Sequence, residues 1–200
     1  IRFGLARAGE IEVTTLDVSP RILDHLTSAR TRARSDAGYT LQLPLDADTA
    51  GHAWHPDVVA YWRRFGDRIG KDVAPAAAPG DVEGVQMRAV RLDPKVVDAV
   101  ASRDLNIVLE RLQPSTDAGR FDLIIATNIL VYYDVFDQTL ALANVAHMLR
   151  PGGLFLVNSP MFPLPQMHLA APQPVTVDFD QLGGDTLFWL KKDAAVARLR

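Results

Sequence analysis

Residues 11–18, IEVTTLDV, place β-branched and apolar side chains in a short run bounded by Gly9 and Pro20, a pattern that predicts a buried strand. Ser19-Pro20 then has the form of a helix start: a serine oxygen can accept from free first-turn amides, and proline suits the first helical position. Ile22, Leu23 and Leu26 give that helix an apolar face, and the pattern fades near Ala37-Gly38. Residues 39–84 change in character. An extended stretch, YTLQLPLD, precedes a helical segment, PDVVAYWRRFGDRIG, in which Val58, Tyr61, Trp62 and Phe65 recur at helical spacing. APAAAPG (74–80) reads as a connector, VQMRAVRL (85–92) as the next strand, and PKVVDAVAS as a short helix or turn.

FDLIIAT (121–127) is the strongest strand signal in the chain. A helix is predicted over about Val135–Leu149, with Leu142, Val145, Ala146 and Leu149 on one stripe. Pro151-Gly152-Gly153 is expected to end it and to turn tightly into GLFLVNSP, a second buried strand. VTVDF (175–179) and DTLFWLKK (185–192), joined through Gly183-Gly184, predict an antiparallel hairpin. Strands alternating with helices imply right-handed crossovers. The pattern therefore predicts an α/β fold, with one domain over residues 1–200, a mainly parallel sheet between two helix layers, and 39–84 as an insert-like segment. Ligands bind such sheets at the carboxyl ends of the strands, which directs attention to the positions after Val18, Leu92, Thr127 and Val157.

Composition narrows the classes of function. The 200 residues are 48% hydrophobic and 22% charged, ordinary values for a globular domain. The longest apolar run, Leu123 to Tyr133, is broken by Thr127 and Asn128, so no membrane span is expected. The first residues, IRFGLARAGE, lack the long apolar region of a secretory signal. With no cysteine there is no disulfide framework and no thiolate metal site, and a cytoplasmic location is the default expectation. A net charge of −3, with 21 basic and 24 acidic residues interspersed, gives no nucleic-acid footprint. Arg30, Arg32 and Arg34 read as a solvated face near a helix end rather than a phosphate site. The five histidines are scattered, and His52 and His55 beside Trp54 lack further ligands, so no metal is expected.

Candidate chemistry sits at the strand ends. Asp17 closes the first strand, where a carboxylate can accept from both ribose hydroxyls of a nucleoside cofactor or can serve its own turn. Thr127 and Asn128 interrupt an apolar strand where it should open into a crevice. An asparagine there can bind a ligand's amino and carboxylate groups, or can hold only its own turn. Tyr132 and Tyr133 follow, either as a wall or hydroxyl beside reacting groups or as core.

LDVSPRILDHL, FDLIIATNILVYYD and HMLRPGGLFLVNSP, in that order and at these spacings, resemble a class I S-adenosylmethionine-dependent methyltransferase from its second strand onward. Within that superfamily the sequence is most similar to the chemoreceptor glutamate methyltransferases of the CheR type, over about residues 11–38 and 85–160. The resemblance implies a Rossmann-like three-layer α/β/α fold with a C-terminal antiparallel hairpin, and S-adenosyl-L-methionine as cofactor. By position, Asp17 with Val18 would hold the ribose, and Asn106 with Ile107 would lie beside the adenine. Thr127 and Asn128 would line the methionyl end, with Tyr132 near the acceptor as the catalytic residue. Thr127 stands where the family has arginine, so that arginine's role is not carried over. No GxGxxG-like run precedes Asp17, and the chain opens on Ile1. The fold is therefore expected here without its first strand and glycine-rich loop, with sequence upstream. The family's receptor-docking helical domain has no counterpart either, so the methyl acceptor is left open.

Methyl transfer from a sulfonium asks the protein to position donor and acceptor and to exclude water, not to supply a strong acid–base pair. Residues 39–80 are a candidate for acceptor recognition, although their aromatics equally suit a small local core. Two other classes fit parts of the pattern. A non-catalytic binding or scaffold module would keep the fold, and a nicotinamide-dependent oxidoreductase would share Asp17 while fitting the LRPGG turn and terminal hairpin poorly.

Overall fold

Strand pairing in the described residues builds three sheets rather than one. The computed structural model describes residues 12–35, 38–47, 54–76, 85–114, 116, 119–178 and 183–194. They fall into two compact units, the first drawn from Ile1–Asp104 with Asp178–Gly183, the second from Leu105–Val177 with Gly184–Arg200.

In the first unit, β1 (Val13–Asp17) runs parallel to β5 (Val100–Asp104), with Asp17 opposite Asp104. The sequence predicted a buried strand at β1, yet it is half-buried and Val13 is 41% exposed. A two-stranded sheet cannot cover both of its faces. Helix α1 (Pro20–Ala33) packs beside this pair and buries Ala29 and Ala33, whereas Ile22 of the predicted apolar face is exposed. It ends four residues before Ala37, with Arg34 as its C-cap; residues 36 and 37 lie outside the described ones. Its basic end is structural: Arg34 pairs with Asp98 at 2.7 Å, and Arg32 lies over the Tyr39 ring.

The two strands of the insert pair antiparallel with the strand that follows it, in the order β2 (Thr40–Ala47), β4 (Val85–Leu92), β3 (Gly70–Val73), so that 85–92 joins the insert instead of the parallel sheet. Pro44, which has no N–H, sits on an edge strand at a register shift, where a lost ladder bond costs least. Helix α2 (Pro56–Arg64) is shorter than PDVVAYWRRFGDRIG, because Gly66 takes φ 99 and the chain then enters β3, a strand that the helical spacing concealed. Tyr61, Trp62 and Phe65 pack on one another with ring centroids 5.0–5.6 Å apart, an aromatic cluster that stays partly exposed. Arg88 on β4 ties this unit together, donating to the Arg63 and Phe65 carbonyls at 2.6 and 2.8 Å and pairing with Asp67 and Asp72. The Asp67 hydrogen bond, reinforced by Asp72, outweighs desolvation and holds its guanidinium more firmly protonated than usual. PKVVDAVAS divides into α3 (Pro94–Asp98), capped by the Asp93 carboxylate, and the start of β5. Of the connector 74–80, residues 77–80 lie outside the described ones.

The second unit holds a four-stranded sheet in the order β6 (Phe121–Ala126), β7 (Leu149–Val157), β9 (Gly184–Lys191), β8 (Gln173–Asp178). β6 and β7 are parallel, β7 and β9 antiparallel. The mainly parallel sheet expected from the sequence is thus limited to the pairs β1·β5 and β6·β7. The insert and the tail return by chain reversals, which pair strands antiparallel. Residues 179–182 of the predicted hairpin turn lie outside the described ones.

Helix α4 (Val135–Met148) lies on β7, burying Leu142 and Val145 with Phe155, Val157 and Leu190 in one apolar cluster. Pro151-Gly152-Gly153 is not a separate turn but a bulge within β7: Phe121 pairs with Leu149 and Leu123 with Leu154. Gly152 adopts φ 78, and a Cβ on Gly153 would meet the Phe121 carbonyl oxygen at 3.0 Å, so both positions require glycine.

Phe155 is fully buried. Phe155→Ala is expected to lower stability by about 3–5 kcal/mol, read as a shift in the urea midpoint at unchanged slope.

Candidate functional site

Ala126 and Val157 end the parallel strands β6 and β7 in register, so the residues that follow emerge at one end of the sheet. Thr127 is half-buried and exits the strand. Asn128 then takes φ 57, a left-handed conformation that asparagine tolerates better than most residues, and reverses the chain. Its N–H donates to Asn158 Oδ1 at 2.9 Å, and Asn158 Nδ2 donates back to Asn128 Oδ1 at 2.6 Å. Two exposed amides thus clamp the carboxyl ends of adjacent strands. The strand-end rule pointed to the position after Val157, but no local pattern singled out Asn158, because its partner lies 30 residues away.

After Asn128, residues Leu130–Tyr132 form a single 3-10 turn with Leu130 buried in the core. Gln138 on α4 braces it, donating from Nε2 to the Leu130 and Tyr133 carbonyls at 3.0 Å each. The Asp134 carboxylate accepts from the Asp137 N–H at 2.9 Å and so caps α4. The turn separates the two tyrosines. Tyr133 packs against the core, whereas Tyr132 is 81% exposed beside the strand ends.

Asn106 and Ile107 open the second unit in a compact turn. Asn106 Oδ1 accepts from the Val108 N–H at 3.0 Å, and the Asn106 N–H donates to Glu110 Oε2 at 2.9 Å. Ile107 packs on the apolar cluster. Helix α4 holds this turn through Asn144, only 8% exposed, whose Nδ2 donates to the Ile107 and Val108 carbonyls at 2.8 and 3.1 Å. Asn144 was hidden in the sequence inside an apolar helical stripe.

In the first unit, Asp17 and Val18 follow the same strand-end logic. Asp17 Oδ1 accepts from the Ser19 N–H at 2.7 Å, and the Ser19 side chain makes no capping hydrogen bond. The carboxylate thus holds the turn into α1, and the first-turn capping bond expected of the serine side chain is not made. A carboxylate has about four acceptor positions, so this bond leaves capacity for a ligand's hydroxyls. Asp104, at the matching end of β5, sets a second exposed carboxylate opposite it. Val18 is exposed. The structure therefore brings Thr127, Asn128, Asn158 and Tyr132 to one end of β6 and β7, and Asp17 and Asp104 to one end of β1 and β5.

Among the described residues no group of three His, Cys, Asp or Glu side chains could hold a metal ion; His52 lies outside them.

Asn144→Leu leaves two buried carbonyls without their donor and is expected to cost about 1–3 kcal/mol. Asn158→Ala, at an exposed site, is expected to cost about 1 kcal/mol. Urea denaturation of both variants tests that order.

No family model matches the sequence, and no curated protein does. Among solved structures the chain is similar to an O-methyltransferase family protein from Burkholderia thailandensis, at 14% identity and TM-score 0.36, over 51% of this chain and 38% of that one. It is also similar to the N-methyltransferase NodS from Bradyrhizobium japonicum WM9, at 21% identity and TM-score 0.34, over 48% of this chain and 61% of that one. The NodS complex with S-adenosyl-l-homocysteine matches at 19% identity and TM-score 0.33, over 50% and 62%. The chain thus spans less than two thirds of the length of each of these structures.

Proposed function

We propose that this chain is a methyltransferase that uses S-adenosyl-L-methionine and acts on a small molecule or a protein side chain. The observation that carries the reading is the Asn128–Asn158 clamp at the adjoining carboxyl ends of β6 and β7. It occupies the place where open α/β sheets bind ligands, on the segment that resembles the methyltransferase motif. Each unit carries groups of the kind that one part of such a cofactor would need. Thr127 and Asn128 offer hydroxyl and amide groups to an amino acid end, and Asp17 beside Val18 offers a carboxylate to ribose hydroxyls. Asn106 and Ile107 would meet the adenine.

When bound, the cofactor supplies a methyl group already activated on sulfur, so the chain's own task is placement. The clamp fixes Asn128, Gln138 fixes the following turn, and Tyr132 stands exposed where an acceptor would approach. A carboxylate acceptor needs no base; for a hydroxyl or amine, the Tyr132 hydroxyl is the group assigned to assist. Residues 39–84 are assigned to acceptor recognition, with Tyr61 half exposed on α2. No nucleic-acid or membrane partner is proposed, and the location is taken as cytoplasmic. The net charge is −3, and no helix among the described residues is long and apolar enough to cross a membrane.

A non-catalytic module of the same fold is the second reading. It is favoured by the hydrogen bonds that Asn128 and Asp17 already make within the chain. A nicotinamide-dependent oxidoreductase comes third, resting on Asp17 and the parallel strand pairs.

Isothermal titration with S-adenosylhomocysteine and with NAD separates the three. The methyltransferase reading predicts binding of the first and not the second, weakened at least tenfold in Asp17→Ala, a loss of about 1.4 kcal/mol. Binding of NAD alone would support the oxidoreductase, and binding of neither would support the module.

A further inference from the structure

The two segments that leave the carboxyl ends of β6 and β7 differ from the rest of the chain in composition. Residues 126–136 and 157–167 hold a single charged side chain, Asp134, and no histidine, whereas 22% of the whole chain is charged. The Asn128–Asn158 pair ties the two together where they start. Beyond it each segment sinks one side chain, Leu130 or Met161, into the same buried cluster. Each then turns a ring outward within two residues, Tyr132 on the first and Phe162 on the second. Val135 and Phe136 carry the first segment on into α4. Tyr132, Val135, Phe136 and Phe162 are 70–82% exposed.

Exposed apolar side chains scattered singly are ordinary, but four on two tethered segments that lack the charges of a solvated surface mark a binding face. This face is continuous with the candidate site, because Tyr132 belongs to both. Its chemistry selects what can be methylated there. A carboxylate or an alkylammonium is ionised at neutral pH, and moving it from water onto an apolar face without a counter-charge is unfavourable. An aliphatic alcohol is neutral but needs a strong base. Neither segment supplies one, since histidine and lysine are absent and the Asp134 carboxylate is engaged in capping α4. A phenol is neutral, stacks on aromatic rings, and gives up its proton at a pH of about 10, as tyrosine does, so weak assistance suffices.

We infer that the methyl acceptor is a neutral aromatic small molecule bearing a phenolic hydroxyl, its rings held against Val135, Phe136 and Phe162 and its hydroxyl at Tyr132. The inference rests on the methyltransferase reading and names the acceptor class of that same site. In the transfer, a lone pair of the phenol oxygen forms the new C–O bond as the C–S bond of the sulfonium breaks. The electron pair of the broken bond stays on sulfur, leaving a neutral thioether, and the phenolic proton passes to solvent through the Tyr132 hydroxyl.

Isothermal titration with 2-naphthol, 2-naphthoate and 2-naphthylmethylamine, in the presence of S-adenosylhomocysteine, tests it. 2-Naphthol is expected to bind saturably at one site, with both charged analogues at least tenfold weaker. Phe136→Ser and Phe162→Ser should each weaken 2-naphthol at least fivefold and, as changes to exposed side chains, leave the circular dichroism melt unchanged. With S-adenosylmethionine the expected product is 2-methoxynaphthalene, and Tyr132→Phe should slow its formation at least tenfold while 2-naphthol affinity stays within twofold. Equal binding of the charged analogues, wild-type affinity in both phenylalanine variants, or bound 2-naphthol that is not methylated would each overturn the assignment. Binding of S-adenosylhomocysteine without binding of 2-naphthol overturns this inference alone, whereas failure to bind S-adenosylhomocysteine overturns the methyltransferase reading and the acceptor with it.

Discussion

β7 is the strand on which the second unit depends. It is hydrogen-bonded along both sides, to β6 in parallel and to β9 antiparallel, and α4 lies against it. Phe155, Leu156 and Val157 are consequently buried. A strand enclosed in this way leaves little tolerance for unsatisfied backbone groups where the pairing stops. Both of its ends are therefore specialised. At the amino end, the Gly152-Gly153 bulge exchanges two hydrogen bonds with Lys192. At the carboxyl end, Asn158 accepts from the Asn128 backbone and donates to its side chain. The candidate site lies at one termination of this buried strand and the glycine bulge toward the other.

Asparagine recurs where chain segments meet because a primary amide both donates and accepts. Asn144 uses its two donors on a turn that has no regular partner, and its oxygen accepts from Arg111 at 3.4 Å. A leucine in its place would match the apolar stripe of α4 and still be worse, since the carbonyls of Ile107 and Val108 would lose their donor inside the fold. Asn128 answers a different demand, a left-handed backbone at the strand exit combined with a side chain that can reach across to β7.

The first unit is held by charge as much as by packing. Arg88 reaches two carboxylates and two carbonyls from the middle of a short sheet, and so joins β3, β4 and the end of α2. Such a hub ties the insert, with its aromatic cluster, to the strand that follows it. An element built this way can vary in its exposed residues, such as Tyr61, without disturbing the strand ends that carry Asp17.

Most elements were legible from periodicity, since alternation and helical spacing report which side of a segment turns away from water. β6, α4 and β4 lie within a residue of their predicted limits, whereas β7 starts four residues before GLFLVNSP because the expected turn is part of the strand. Asp17, Thr127 and Asn128 were legible for the same reason, as polar residues ending apolar strands. β3, four residues following the segment read as helical, was too short to show a period of its own, and the bulge in β7 read as an ordinary turn. Asn158 and Asn144 left no local trace. Their meaning comes from partners 30 to 37 residues away. A local pattern specifies which residues leave the surface, and only the packed chain specifies which groups they meet there.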